Sequence, residues 1–248
     1  MRKFGLIGKT LHHSFSKTFF TNFFEKEHID ASYSNFELGD IKEIKPLLDS
    51  NSISGLNVTI PYKQSVIPFL DELSIEAISI GAVNVIQFKE GKKIGHNSDA
   101  FGFHQSIKPF LTNLHERAMI IGTGGASKAV EYVFKSLGID SITISRNPVG
   151  EKQFGYEEIN EHMLKACKVI VHCTPVGTFP NRGDVISFPF EFLTKDHLVV
   201  DLIYNPAKTR FLQLAQENGA TILNGESMLQ QQAIKAWEIW NFEMEELK

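Results

Sequence analysis

The sequence has 248 residues, 42% of them hydrophobic and 22% charged, and a net charge of −4 at neutral pH. That length allows one large domain or two of about 100–150 residues, and the composition excludes a disordered chain. An acidic chain with dispersed basic residues lacks the basic face that a nucleic-acid backbone requires.

In chain order, Lys3–Ile7 reads as a strand and Lys17–Glu27 as a helix with Ser16 available to cap it. Ser32–Glu37 reads as a strand, Ile41–Asp49 as a helix and Gly55–Ile60 as a strand. Helices over Tyr62–Phe69 and Ser74–Ile80 follow, the second capped by Ser74, and then a strand over Val83–Phe88. A helical segment over Asp99–Leu114 leads into a second series with strands at Ala118–Ile121, Ser141–Ser145, Val169–Cys173, Leu198–Leu202 and Ala220–Leu223. Its helices are Lys128–Ser136, Glu157–Lys165 and Thr209–Asn218, the last closed by Gly219. Met228–Leu247 reads as one long helix. Such alternation predicts an α/β fold in two domains, with a boundary near Asp99–Phe103 and a ligand cleft between the lobes.

Cys167 and Cys173 form neither a disulfide framework nor a zinc motif and fit core thiols in a reducing cytoplasm. Neither the N-terminal run nor any later segment has the apolar length of a signal peptide or of a membrane span of about 18 residues. The nine histidines show no metal-ligand spacing, and His12-His13 reads as a loop pair.

In the second series the strand Ala118–Ile121 runs into Gly122-Thr123-Gly124-Gly125-Ala126-Ser127 and then a helical pattern. This context suits a pyrophosphate at a helix N-terminus, with Gly122 permitting the tight turn and Gly124 a close backbone approach. Ser127 replaces the third glycine of the motif. An NAD site carries an acid about 20 residues further on, at the tip of the next strand. Here that tip is Ser145-Arg146-Asn147, and the planar cation of Arg146 suits a 2′-phosphate, favouring NADP.

In the first series, alternation puts Asn57 and Thr59 on one face of their strand, with Pro61 ending the ladder and Lys63 just beyond. Asn84 opens the next strand, Asp99 follows a turn, and Ser14 and Ser16 precede a helix. Singly, the serines read as caps and Lys63 as a surface amine. Together these residues make a hydroxyl- and amide-rich pocket with one Lys–Asp pair, suited to a small polyhydroxylated ligand and to proton transfer.

These residues resemble shikimate dehydrogenases over essentially the whole chain: SxS, NVTxPxK, GAVN, NxD, GxGGA, the Arg after the second strand, DLIYxP and the terminal MLxxQ helix occur in that order. The resemblance implies a substrate domain (1–101), a Rossmann NADP-binding domain (102–227), a central cleft, and a C-terminal helix (228–248) that packs back on the first domain. It implies Lys63 and Asp99 as the catalytic pair, with Ser14, Ser16, Asn57, Thr59, Asn84, Tyr204 and Gln232 around shikimate. Gly122, Thr123, Gly124, Gly125, Ala126 and Ser127 would hold the pyrophosphate, and Ser145, Arg146 and Asn147 the 2′-phosphate. Thr174, Val176, Leu202 and Gly225 would lie along the cofactor. Three strings depart from the family pattern: Asn97-Ser98-Asp99 for NTD, Ser145-Arg146-Asn147 for NRT, and Asn224-Gly225-Glu226-Ser227 for DGLG, which sets Ser227 at the nicotinamide edge.

The expected activity is reversible, NADPH-dependent reduction of 3-dehydroshikimate to shikimate in aromatic amino acid biosynthesis, by a cytoplasmic monomer or homodimer without metal, membrane or nucleic-acid partners. Two other readings stay open. One is a paralogue acting on quinate or an aminated analogue with NAD or NADP. The other is a non-catalytic dinucleotide sensor, which would have no need of a Lys–Asp proton shuttle.

Overall fold

In the computed structural model, which describes residues 1–11, 14–50 and 52–242, the apolar runs pair into two six-stranded sheets. The chain divides into two compact units, Met1–Phe101 with Gln232–Lys248, and Gly102–Gln231.

The first unit holds β1 (Arg2–Gly8), α1 (Phe15–Lys26), β2 (Ala31–Glu37), α2 (Lys45–Leu48), β3 (Gly55–Val58), β4 (Glu72–Leu73), α3 (Ile75–Ile80), β5 (Val85–Lys89) and β6 (Lys92–His96). Its sheet order is β2-β1-β3-β5-β6-β4. β1 runs parallel to β2 and β3, β5 is antiparallel to β3, and β6 is antiparallel to β5. On one face Phe4, Phe20, Phe24, Tyr33 and Trp240 form an aromatic core, and on the other Ile7, Leu56, Val58, Val66 and Ile86 form an aliphatic one.

From α4 (Asp99–Ile107), which crosses the division between the units, the second series runs through β7 (Arg117–Ile121), α5 (Gly125–Ser136), β8 (Asp140–Ile144), β9 (Gln153–Phe154), α6 (Glu161–Ala166), β10 (Val169–His172), β11 (Leu198–Asp201), α7 (Arg210–Glu217) and β12 (Thr221–Leu223). All its strands are parallel, in the order β12-β11-β10-β7-β8-β9. This is the doubly wound order. Its topological switch point falls between β7 and β10, where such sheets hold ligands beyond the carboxyl ends of the strands. Fully buried Met119, Ile121, Ile170 and Val199 show why these strands read as continuous apolar runs. The last helix, α8 (Glu226–Asn241), starts in the second unit and contributes Ala233, Ala236 and Trp240 to the aromatic core of the first.

Several expectations need correction. Ser14, rather than Ser16, caps α1, its Oγ accepting from Lys17 N, so Ser16 lies inside the helix. Tyr62–Phe69 is a string of turns with a 3-10 turn at Ile67–Phe69, because Pro68 offers no N–H to continue an α-helix. The segment over Ile41–Asp49 splits into a 3-10 turn at Ile41–Ile44 and α2. The tail helix is described to Asn241, and the part of the expected helix beyond Phe242 lies outside the described residues, as do His12 and His13. No helix among the described residues is long and apolar enough to cross a membrane.

Candidate active site

Register decides what meets in the first unit. Asn57 lies opposite Val85, and Val85 opposite His96, so the end of β3, the start of β5 and the end of β6 share one edge of the sheet. Lys63, Asn84 and Asp99 follow or precede those three positions, and the chain brings them together. Lys63 Nζ donates to Asp99 Oδ2 at 2.7 Å, the lysine side chain 15% and the aspartate 6% exposed. Asn84 Nδ2 donates to the other carboxylate oxygen at 2.9 Å and to Ser98 Oγ at 3.0 Å, and Ser98 N returns a bond to Asn84 Oδ1 at 2.7 Å. Gln232 Oε1 stands 3.5 Å from both Asn84 Nδ2 and Ser98 Oγ. Asn97 Oδ1 accepts from Ala100 N at 3.2 Å and so supports the first turn of α4, where Asp99 sits.

Asn57 joins this network from behind, donating to Asn84 O at 3.2 Å while its Oδ1 accepts from the Tyr33 hydroxyl at 2.7 Å. The Ser16 hydroxyl bonds the same phenol. Burial pushes the Tyr33 phenol well above its usual range, with the Ser16 bond opposing, so Tyr33 stays protonated and remains a donor. Half-buried Thr59 follows directly on β3, its N–H tied to Ile7 O. Ser14 is half-buried at the cap of α1. Six of the expected substrate residues therefore belong to one connected set: Ser16, Asn57, Lys63, Asn84, Asp99 and Gln232. Tyr204 belongs to the second unit and is exposed there.

At the carboxyl end of β7, Gly122 has φ +116°, a conformation that side-chain-bearing residues rarely adopt, and its N–H donates to Ile144 O. Gly124 is the N-cap of the 12-residue α5, with no side-chain cap, and a Cβ added there would meet nothing within 4 Å. An uncapped helix start with backbone open to approach is what a phosphate needs, so Gly122–Ser127 fit a dinucleotide pyrophosphate. Thr123 is exposed and Gly125 and Ala126 half-buried in this turn. Ser127, at the third-glycine position, is buried and turns its hydroxyl back to Gly124 O at 2.7 Å.

At the tip of β8, Ser145 Oγ accepts from Asn147 N, and Arg146 is exposed. Arg146 lies near Tyr156, whose phenol is raised by burial and partly brought back by that cation. Beyond β10, Val176 N donates to Thr174 Oγ1, and Val176 packs on the core. A Cβ on Gly225 would overlap the Leu202 carbonyl, so the start of α8 approaches Leu202 at a distance only glycine allows. Ser227 is half-buried in the first turn of α8.

Sequence reasoning did not single out Tyr33, His172, Asp201 or Thr209. His172 Nδ1 is 3.1 Å from Asp201 Oδ1, and Thr209 Oγ1 donates to Asp201 Oδ2 at 2.6 Å, all three side chains being buried. The signal was there: β10 and β11 are apolar except for a last residue, and those last residues are His172 and Asp201. The Cys173 thiol is driven far up by burial, which argues against a reactive thiolate. No group of three or more potential metal ligands occurs among the described residues.

A family profile described as the shikimate dehydrogenase substrate binding domain matches residues 6–86. A shikimate dehydrogenase (NADP(+)) of Clostridium botulinum is 37% identical over 246 residues, 95% of this chain and 95% of its own. Among solved structures, shikimate dehydrogenase 1 from Peptoclostridium difficile is 37% identical with a TM-score of 0.85, covering 97% of this chain and 91% of its own. A quinate dehydrogenase from Corynebacterium glutamicum, solved in complex with NAD, is 29% identical with a TM-score of 0.85, covering 97% of this chain and 93% of its own.

Proposed function

The chain belongs to the shikimate dehydrogenase family, and we propose that it catalyses the reversible reduction of 3-dehydroshikimate to shikimate with NADPH, a step of aromatic amino acid biosynthesis. One observation carries the reading: a largely buried Lys63–Asp99 ion pair set in a network of amides and hydroxyls. A binding-only protein gains nothing from burying such a pair, because desolvation offsets most of its attraction.

Gly122–Ser127 would hold the pyrophosphate of NADPH, Ser145, Arg146 and Asn147 its 2′-phosphate, and Thr174, Val176, Leu202 and Gly225 would complete that site, the cofactor supplying the hydride. The remaining steps belong to this chain's own side chains. Lys63 Nζ gives a proton to the oxygen developing at the reduced carbon and takes it back in the reverse direction. Asp99 holds that ammonium through Oδ2 while Asn84 fixes the carboxylate through Oδ1. Asn84, Asp99 and Gln232 serve the ring hydroxyls, and Ser14 and Ser16 the carboxylate, with Asn57 and Thr59 beside them. Orientation of this kind is a main source of rate.

The reading includes a cytoplasmic enzyme acting as a monomer or homodimer, and both cysteines are free, as a reducing compartment requires. The likeness to a quinate dehydrogenase makes quinate with NAD the second reading. Absorbance at the nicotinamide band, with shikimate or quinate against NADP or NAD, separates the two. We expect turnover of shikimate with NADP, and a fall in kcat of about 10²–10⁴-fold in Lys63→Ala with little change in KM. Undiminished kcat in that variant would remove Lys63 from the chemistry, and turnover of quinate alone would move the assignment.

A further inference from the structure

The paired strand ends of β10 and β11 place His172 directly opposite Asp201 in the parallel register. Both are buried, together with Thr209, the N-cap of α7. Asp201 receives three donors: His172 Nδ1 at 3.1 Å and Ile203 N at 3.0 Å on Oδ1, and the Thr209 hydroxyl at 2.6 Å on Oδ2. A carboxylate so surrounded only accepts, so Nδ1 of the imidazole must carry the hydrogen. In the neutral ring Nε2 is then an acceptor, and its partner is Thr174 Oγ1 at 2.5 Å. The Thr174 hydroxyl hydrogen is thereby committed to His172, while its oxygen accepts from Val176 N at 3.3 Å and keeps one lone pair. Thr174 also abuts the glycine turn, since a Cβ on Gly122 would lie 3.2 Å from Thr174 Cγ2.

We propose that His172, held by Asp201 and Thr209, is a positioning residue for the cofactor: it fixes Thr174 as a hydrogen-bond acceptor at the switch point, for a hydroxyl or amide donor of the dinucleotide. The inference rests on the reading that Thr174 meets the cofactor. An acceptor at Thr174 suits ribose hydroxyls or a carboxamide N–H and is wrong for a phosphate oxygen, which needs donors. That division of labour leaves the phosphates to the backbone of Gly122–Ser127. The network spans the ends of two strands and the start of α7, so it couples the loop after β10 to the rigid centre of its sheet.

The test is direct binding of NADPH, read from its fluorescence, beside the steady-state constants. His172→Asn retains an N–H for Asp201 but is too short to reach Thr174, and His172→Gln places an amide near the position of Nε2. We expect His172→Asn to weaken NADPH binding about three- to tenfold while the KM for shikimate stays within about twofold, and His172→Gln to recover most of the loss. Thr174→Val should show the same loss, and His172→Asn added to it should cost nothing more, because the two act through one bond. Thr174→Val decides the matter even if the buried histidine variants fail to fold: wild-type affinity in that protein overturns the proposal. So does a His172→Asn loss that adds in full to that of Thr174→Val, or one that falls equally on shikimate. Failure of the cofactor reading is distinguishable, because the unaltered protein would then bind no NADPH.

Discussion

Tyr33 shows how a residue outside the reacting set governs it. Its hydroxyl donates to Asn57 Oδ1, so the Asn57 amide can turn only its N–H side toward Asn84 and any ligand. Tyr33→Phe keeps the ring against Phe20, 4.8 Å away between centroids, and removes the hydroxyl that serves both Asn57 and Ser16. The buried Asn57 Oδ1 then loses its partner, at a cost of about 1–3 kcal/mol in folding stability. With its orientation no longer enforced, the KM for shikimate should rise up to about tenfold with kcat little changed. A urea titration and a KM measurement on the same protein check both effects, and a variant with unaltered KM would make Tyr33 purely structural. At this scale the sequence is legible where a polar residue marks a strand end, as at Asn57 and Asn84, or the chain just beyond one, as at Lys63 and Asp99. Tyr33 was not, because a tyrosine in an alternating strand reads as core and its partner lies 24 residues away. His172 and Asp201 became a pair only once the parallel register was known.

Elements were legible where period and caps agreed. Each of the five strands expected in the second unit forms; β7, β10 and β11 are buried on both faces and leave nearly unbroken apolar runs, while β8 shows the alternation of a half-buried strand. The turns were harder. β5 and β6 are joined by Glu90-Gly91, both with positive φ (52° and 76°), a two-residue hairpin turn in which glutamate takes the place usually held by Asn or Asp. With that signal muted, the charged sequence of β6 reads as loop. α8 illustrates what an element does beyond its own helix. Trp240 is buried against Phe4 and Phe20, at 4.7 and 5.3 Å between centroids, and its indole N–H donates to Ile86 O at 3.1 Å. Gln87 Nε2 adds a bond to Ile239 O at 2.6 Å. Two helical turns earlier the same helix presents Gln232 to Asn84 and Ser98. Trp240→Ala should therefore cost about 3–5 kcal/mol. In the fraction that stays folded it should also raise the KM for shikimate, by loosening the segment that carries Gln232. Trp240→Phe restores the ring packing but removes the indole donor to Ile86 O, so it should fall between the two in a denaturant titration. Equal stability of all three proteins would show that the end of α8 is not anchored by this residue.

Among the described residues three histidines are held below their usual range. Burial, helped by the charge of Lys235, lowers His96 in the first unit to about 4. His115 and His197 in the second unit are lowered too, chiefly by burial. Backbone hydrogen bonds to Asp196 at His115 and to Leu164 and Thr194 at His197 oppose that shift without cancelling it. His115 Nδ1 accepts from Thr112 N and His197 Nδ1 from Thr194 N, so a proton added at Nδ1 would displace that bond. An unfolded histidine titrates near 6.5, so below that pH the unfolded chain holds protons that the folded one refuses. Unfolding then takes up protons, and stability must rise with pH from about 4 to about 6.5 and level off above. Lowered carboxylates such as Asp140, held down by Lys152, and Glu161, held down by Lys165, act below this window, because their stabilising charge is lost only as pH falls through their own depressed range. Urea midpoints at several pH values between 4 and 8 should trace this rise. His197→Gln, which is neutral throughout, should flatten part of the slope while lowering the plateau. An unchanged slope in that variant, or a midpoint independent of pH from 4.5 to 7 in the unaltered protein, would mean that these rings take up protons in place and that burial does not keep them neutral.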